Sequence, residues 1–280
     1  MKSRLLFLSG VIIATAFASC GGNDNSNKGN APTDSVKPAP LPPVALVAVS
    51  PSPDFPGATL TIKKVGAEKA GKDSAKVTFS FDVKNYELKL QTADNGAKNC
   101  NNSDKGQHIH FILDNGPYKP LYEPTNDVTL ANDGKEHYLV AFLSRSYHES
   151  IKSKGAAVVY HFKIDEKGNL KKLDNPKTPM VIYSRPKGDY AGKDTVNLLL
   201  DFYVLNDTLS PGGYKVQAEI TNQDKPTQHL TTTIDKWASN FIQNLGTGKS
   251  KVTLTLIDKD GKPVEGPQTS ASREFTLKVQ

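Results

Sequence analysis

The chain has 280 residues, 37% of them apolar and 23% charged, with a formal net charge of +6 and two cysteines. So few cysteines exclude a disulfide-built scaffold. The charge is mild and scattered, with no basic stripe interleaved with aromatics, so nucleic acid is not expected among the partners.

The chain opens with Lys2 and Arg4, a mostly apolar run from Leu5 to Phe17, and the small residues Ala18 and Ser19 before Cys20. A run of 13 residues falls short of the roughly 20 that cross a bilayer as a helix. Residues 1–19 therefore read as a secretion signal. The end of this segment, FASC-GG, resembles the lipobox of bacterial lipoproteins, with Phe17 where the common pattern has Leu. The resemblance implies lipid attachment at Cys20 and a protein held at a membrane, at the outer membrane or cell surface. Ala16-Phe17-Ala18 also fits an ordinary A-x-A cleavage site, which would release a soluble chain. Residues 20–50 are rich in Asn, Gly and Pro, and eight of the 18 prolines lie between Pro32 and Pro56. That composition is read as an extended tether without a core. A tether accords with an anchor, since each buried acyl methylene contributes about 0.8 kcal/mol.

An internal repeat follows. AGKDSAKVTFSFDVKNYEL (70–88) and AGKDTVNLLLDFYVLNDTL (191–209) align at an offset of 121, sharing Ala-Gly-Lys-Asp, Phe81/Phe202, Val83/Val204, Asn85/Asn206 and Leu88/Leu209. HIHFILDN (108–115) then matches KVQAEITN (215–222), LVAFL (139–143) matches VTLTL (252–256), and YHFKI (160–164) matches FTLKV (275–279). These short segments alternate with period two and are separated by Gly, Asn, Asp and Pro, which predicts antiparallel strands. The expected fold is all-β: two tandem immunoglobulin-like sandwiches, copy one over 51–167 and copy two over 175–280, joined by polar residues 165–177.

Copy two indicates which face of each strand is buried. Val216, Ala218 and Ile220 point inward, and Lys215, Gln217 and Glu219 face water, because strand residues alternate strictly. The same parity puts Ile109, Phe111 and Leu113 inside copy one and His108 and His110 on its outer face, with Tyr138, Val140 and Phe142. An outward face of this kind, aromatic and histidine-bearing, is expected in copy one alone. Copy one also carries about 14 extra residues within 89–107, including Cys100, and five of the six histidines.

Function is therefore sought in copy one, on His108, His110, Tyr118, Tyr122, Arg145, Tyr147, His148 and Glu149. Two histidines at i and i+2 share one strand face and can chelate one ion, with Cys100 or His148 completing a set suited to Cu or Zn. Equally, these histidines can fasten the inserted loop by hydrogen bonds, or the aromatics and Arg145 can recognise a protein, glycan or small ligand. Cys100 by itself fits a small buried apolar residue better than a nucleophile.

HIHFILDN with the later YHES resembles a group of uncharacterised exported all-β domains of Bacteroidota-type bacteria. With the lipobox, the chain as a whole resembles a Bacteroidota-type lipoprotein with tandem immunoglobulin-like domains. The resemblance implies export and a β-fold and transfers no activity. Four Asp-Ser/Thr-apolar triplets resemble the O-glycosylation acceptor of such bacteria, which implies Ser35, Ser74, Thr195 and Thr208 as sites. Asp-Ser and Asp-Thr are also ordinary turn residues. GTGKSK (246–251) lacks the upstream glycine and following helix of a phosphate loop. Asp258-Lys259-Asp260-Gly261 reads as a hairpin turn. No catalytic constellation stands out, so the expectation is a non-enzymatic binding or structural lipoprotein, with metal binding through His108 and His110 as the alternative.

Overall fold

The computed structural model describes residues 42–278. The secretion signal, Cys20 and Ser35 lie outside the described residues. A short strand β1 (Ala45–Ala48) is followed by β2 (Thr59–Lys69), β3 (Ser74–Lys84), a four-residue helix α1 (Asn95–Lys98), β4 (His108–Leu113), β5 (Lys119–Leu121), β6 (Thr125–Ala131), β7 (Glu136–Ser144), β8 (Ala157–Ile164) and β9 (Leu170–Lys172). The second half adds β10 (Met180–Arg185), β11 (Gly188–Ala191), β12 (Leu198–Leu205), β13 (Lys215–Asn222), β14 (His229–Ile234), β15 (Asn240–Gln243), β16 (Gly248–Ile257) and β17 (Ser270–Lys278). Among the described residues no helix is long and apolar enough to cross a membrane.

The first sandwich sets sheet β2-β3-β6 against β5-β4-β7-β8-β9. The second sets β1-β15-β12-β10 against β11-β17-β16-β13-β14. Each core follows from alternation. Val77, Phe79 and Phe81 fill one and Leu198, Leu200, Phe202 and Val204 the other. The topology repeats as well: β5-β4-β7-β8 and β14-β13-β16-β17 run in the same order, and β3 pairs antiparallel with β2 as β12 does with β10. The repeated asparagines have one physical role. Asn85 and Asn206 end their strands at φ of 53° and 66°, a left-handed conformation that Asn tolerates. Their side-chain amides donate to backbone carbonyls, Asn85 to Gly57 and Asn206 to Pro176 and Thr178.

Two segments depart from the expected boundaries. Ala45–Ala48, read as tether, pairs antiparallel with β15, Ala45 opposite Gln243, and Val44 enters the second core. The proline-rich composition around it masks a short apolar run, VALVAV, that a sheet edge can bury. Leu170–Lys172, in the joining segment, adds an edge strand to β8 of the first sandwich. Ser74 begins β3 half-buried, Thr195 closes a 3-10 turn with its hydroxyl on the Gly192 carbonyl, and Thr208 is exposed.

The parity read from copy two holds on β4. Ile109 and Phe111 lie in the first core with Leu113 packed against it, and the histidines point the other way. The cover over that other face is the correction. His108, His110 and Phe142 are fully enclosed and Val140 nearly so, not solvent-facing. Ile112, Val140 and Phe142 meet Met180, Ile182 and Tyr203 of the second sandwich in a third core. Phe142 stacks on Tyr203 with ring centroids 4.8 Å apart. Alternation separates the two faces of a strand; it does not say what packs on the second one. Asn115 fastens the same seam, donating to the Val181 carbonyl and accepting from the Tyr183 amide, each at 2.9 Å. Both sandwiches belong to one compact unit.

Candidate metal centre

At the end of this seam three histidines converge. β4 supplies His108 and His110, whose i, i+2 spacing brings the two Nε2 atoms to 3.0 Å. His148 comes from the turn after β7, where its amide bonds the Arg145 carbonyl at 2.9 Å. Its φ of 70° is left-handed, a conformation costing roughly 1–2 kcal/mol for a residue with a Cβ. The turn presents His148 Nδ1 at 3.1 Å from His108 Nε2. The three ligand nitrogens lie within 4.8 Å of one another, and all three side chains are buried. An ion held tetrahedrally by bonds of ~2.0–2.1 Å sets its ligands roughly 3.3 Å apart.

The outer nitrogens fix the inner ones. His108 Nδ1 lies 2.8 Å from the Gly106 carbonyl. A carbonyl only accepts, so Nδ1 carries the proton and Nε2 offers a bare lone pair inward. His110 Nδ1 lies 3.0 Å from Ser184 Oγ, across the seam, which can hold it the same way. Gly106 itself sits at φ +80° with the Lys89 carbonyl 2.3 Å from where a Cβ would stand, so only glycine fits there. Burial holds His108 down to about 4 and drives His110 and His148 well below the usual imidazole range, so all three are neutral at pH 7. Neutral imidazoles with converging lone pairs repel one another, and a cation between them relieves the repulsion.

Aromatic and cationic groups surround the centre. Tyr118 stacks on His110 at 3.7 Å with planes 7° apart, and its hydroxyl lies 3.2 Å from His148 Nδ1. Tyr122 packs at 5.2 Å from the His108 ring. Arg185 and Lys187, from the second sandwich, are the charged side chains that act on all three histidines.

The structure thus brings His108, His110, His148, Tyr118 and Tyr122 together and leaves four other candidates apart. Cys100 is not in the ligand group; it packs with Tyr147, Leu199 and Phe241, and burial pushes its thiol up to about 12, which keeps it protonated and a poor ligand. The loop that carries Cys100 is drawn away by Lys98, whose ammonium bonds the Ser50 and Pro51 carbonyls. Arg145 and Glu149 pair at 3.4 Å, and both hold the 52–53 segment, Glu149 through Ser52 Oγ and Arg145 through the Pro53 carbonyl. Tyr147 is buried with its hydroxyl 3.4 Å from Asp94. Sequence reasoning missed Ser184, Arg185 and Lys187. A contact between two sandwiches leaves no local pattern; the one available signal was the basic cluster Ser184-Arg185-Pro186-Lys187 opening an otherwise plain copy.

No family model and no curated protein sequence matches the chain. Among solved structures it is similar to the fibronectin(III)-like modules of Clostridium thermocellum CbhA, with 11% identity, 79% of this chain and 95% of that one covered, and a TM-score of 0.25. It is also similar to the two tandem V-type regions of VCBP3, a v-region-containing chitin binding protein, with 8% identity, coverage of 79% and 99%, and a TM-score of 0.24. A third similarity is to SGBP-B of the Bacteroides ovatus mixed-linkage glucan utilization locus, with 6% identity, coverage of 79% and 70%, and a TM-score of 0.21. At such scores the all-β sandwich class stands on the chain's own sheets, and nothing of those proteins' ligands transfers to it.

Proposed function

We propose that this chain is an exported, lipid-anchored, non-enzymatic binding protein that holds a transition-metal ion, copper or zinc, on His108, His110 and His148. The observation that carries the reading is the convergence of three neutral imidazole nitrogens within 4.8 Å in a buried site. Three nitrogen ligands of this kind suit Zn(II) and Cu(II) and leave a further coordination position. The lipid at Cys20 is supported by the signal and lipobox-like residues alone. Metal analysis of the full chain after desalting tests the metal reading: about one equivalent of Cu(II) or Zn(II) is expected, with almost none in His108→Ala/His110→Ala. Equal retention by the two proteins would sink it. Mass spectrometry of the mature N-terminus tests the anchor, and an unmodified Ser19 start would overturn it.

A second reading, recognition of a protein, glycan or small ligand, is favoured by one feature. A cleft of about 330 Å³ is lined by Ser52, Arg145, Glu149, Lys152 and Trp237, and the buried Arg145 Nε has no acceptor among the described residues. Arg145→Ala would abolish such recognition and leave metal content unchanged; a ligand bound equally well by that variant removes the reading.

A further inference from the structure

We infer that the cleft between the two sandwiches is a carbohydrate site, one that holds a neutral sugar by its hydroxyl groups and its apolar C–H face. The inference rests on the second reading above and is independent of the metal centre. The cleft, about 330 Å³, is walled by chain leading into β2, by the turn after β7 and by the approach to β15. Ligand sites run from about 300 to 1,000 Å³ and favour domain interfaces, so this one admits a compact molecule.

The charges of the wall decide the class. Its cations, Arg145 and Lys152, are already engaged. Arg145 donates to the Ser150 and Pro53 carbonyls and pairs with Glu149 at 3.4 Å. Its Nε alone lacks an acceptor among the described residues. One N–H can meet a single oxygen, not make the two-pronged pairing that a carboxylate or phosphate forms with a free guanidinium. Lys152 directs its ammonium to Asp201 Oδ1 at 2.7 Å, Ser150 Oγ at 2.7 Å and Ser239 Oγ at 3.1 Å. An anionic ligand therefore finds no free cation. A cationic ligand gains little, since Glu149 is held by Arg145 and Ser52, and Asp54 stands exposed at the rim, where water and salt screen it.

The wall offers hydroxyls instead. Ser50 Oγ accepts from Lys98, which leaves its O–H to give. Ser52 Oγ donates to Glu149, which leaves its lone pairs to accept. Ser150 and Ser239 each donate to Asp201 and accept from Lys152, and each keeps one lone pair. Trp237 lies half-buried in the same wall with its N–H given to the Phe202 carbonyl at 3.2 Å, so what it presents is ring carbon. A sugar is a compact neutral molecule whose O–H groups both donate and accept beside apolar C–H faces. A hydrocarbon would take water from these polar groups and return no hydrogen bond.

Trp237 is the single tryptophan of the chain, so its fluorescence reads the cleft. The full chain is titrated with glucose, galactose, mannose, N-acetylglucosamine, cellobiose and maltose, and separately with inorganic phosphate and dialanine. A saturable shift of the emission is expected from at least one sugar and from neither of the other two probes. Ser153 is exposed and lines the cleft, so Ser153→Phe plugs it from outside the cores and should remove the shift. Silence from every sugar overturns the carbohydrate. A response to phosphate or dialanine that Ser153→Phe removes also overturns it, and leaves the cleft a site for another class of ligand. A sugar response that Ser153→Phe leaves intact puts the binding elsewhere and overturns both the sugar and the cleft.

Discussion

On β4 and β7 His110 stands opposite Phe142, and both are fully buried; at the matching places on β13 and β16 Gln217 stands opposite Thr255, and both are half-buried. The pairing frame is the same. In copy two this outer face closes on itself through hydroxyl pairs, Thr253 with Ser272 at 2.7 Å and Thr255 with Ser270 at 3.0 Å. In copy one it became an interface, with apolar residues against the second sandwich and histidines at the edge. The inward residues that make a sandwich are held in common, and the outward ones carry the difference. The candidate site thus lies where a repeated domain is free to diverge without losing its core.

The comparison breaks most sharply at Phe142. Phe142→Ala empties the space against Tyr203 and His110 and should cost about 3–5 kcal/mol, read from urea unfolding. A cost below about 1 kcal/mol would mean the face is open to water and the copies are alike.

Acid is the next lever, applied to the metal-free chain. The folded histidines of the centre refuse protons that the unfolded chain accepts, because burial lowers their pKa. Stability is therefore full above about pH 6.5 and falls as the pH drops toward 4. His108 alone accounts for about 2 kcal/mol between pH 6.5 and 5. Denaturation midpoints across that range should show a slope that His108→Gln reduces; an unchanged slope would place the titration elsewhere.

Asn85→Ala and Asn206→Ala probe what the copies share. Asn85 loses one side-chain hydrogen bond and Asn206 two, and each change forces alanine into the left-handed region, for about 1–2 kcal/mol, with the Asn206 loss at the upper end. A large difference between them would mean the repeated asparagines do unlike work. The smallest effect is expected from Thr255→Ala, within about 0.5 kcal/mol of wild type. A loss comparable to that of Phe142→Ala would place a partner on that face as well.

Strand positions were largely legible in the sequence. β13 spans Lys215–Asn222, the predicted segment itself. β4 stops two residues short of its prediction, at Leu113, because Asp114 and Asn115 turn at φ of 53° and 51°. The His108/His110 pair followed from period-two alternation. His148 was harder to place among the ligands, since it reaches the pair through a left-handed turn and not through strand spacing. Cys100 was put forward as a ligand that could complete a His/Cys set from the insertion preceding the pair, but lysine and asparagine contacts carry that loop toward the second sandwich. Lys98 bonds the 50–51 carbonyls, and Asn101 donates to Asp194 at 2.6 Å. The burial of the histidine face is a tertiary event. It depends on Met180, Ile182 and Tyr203 in a different domain, and no local pattern in copy one announces them.

The pairing of β1 with β15 sets an order on how the molecule can be assembled. Ala45 is made long before its partner Gln243, with the whole first sandwich strung between them. The second sheet therefore closes a very long loop, a contact that adds to folding time through its sequence separation. The first sandwich can condense while the chain is still emerging, whereas the second waits for its own last third. Until then Leu46 and Val47 lack their strand partner. Cutting the chain between the two repeats would not yield two whole domains, because the second would leave its edge strand behind with the first.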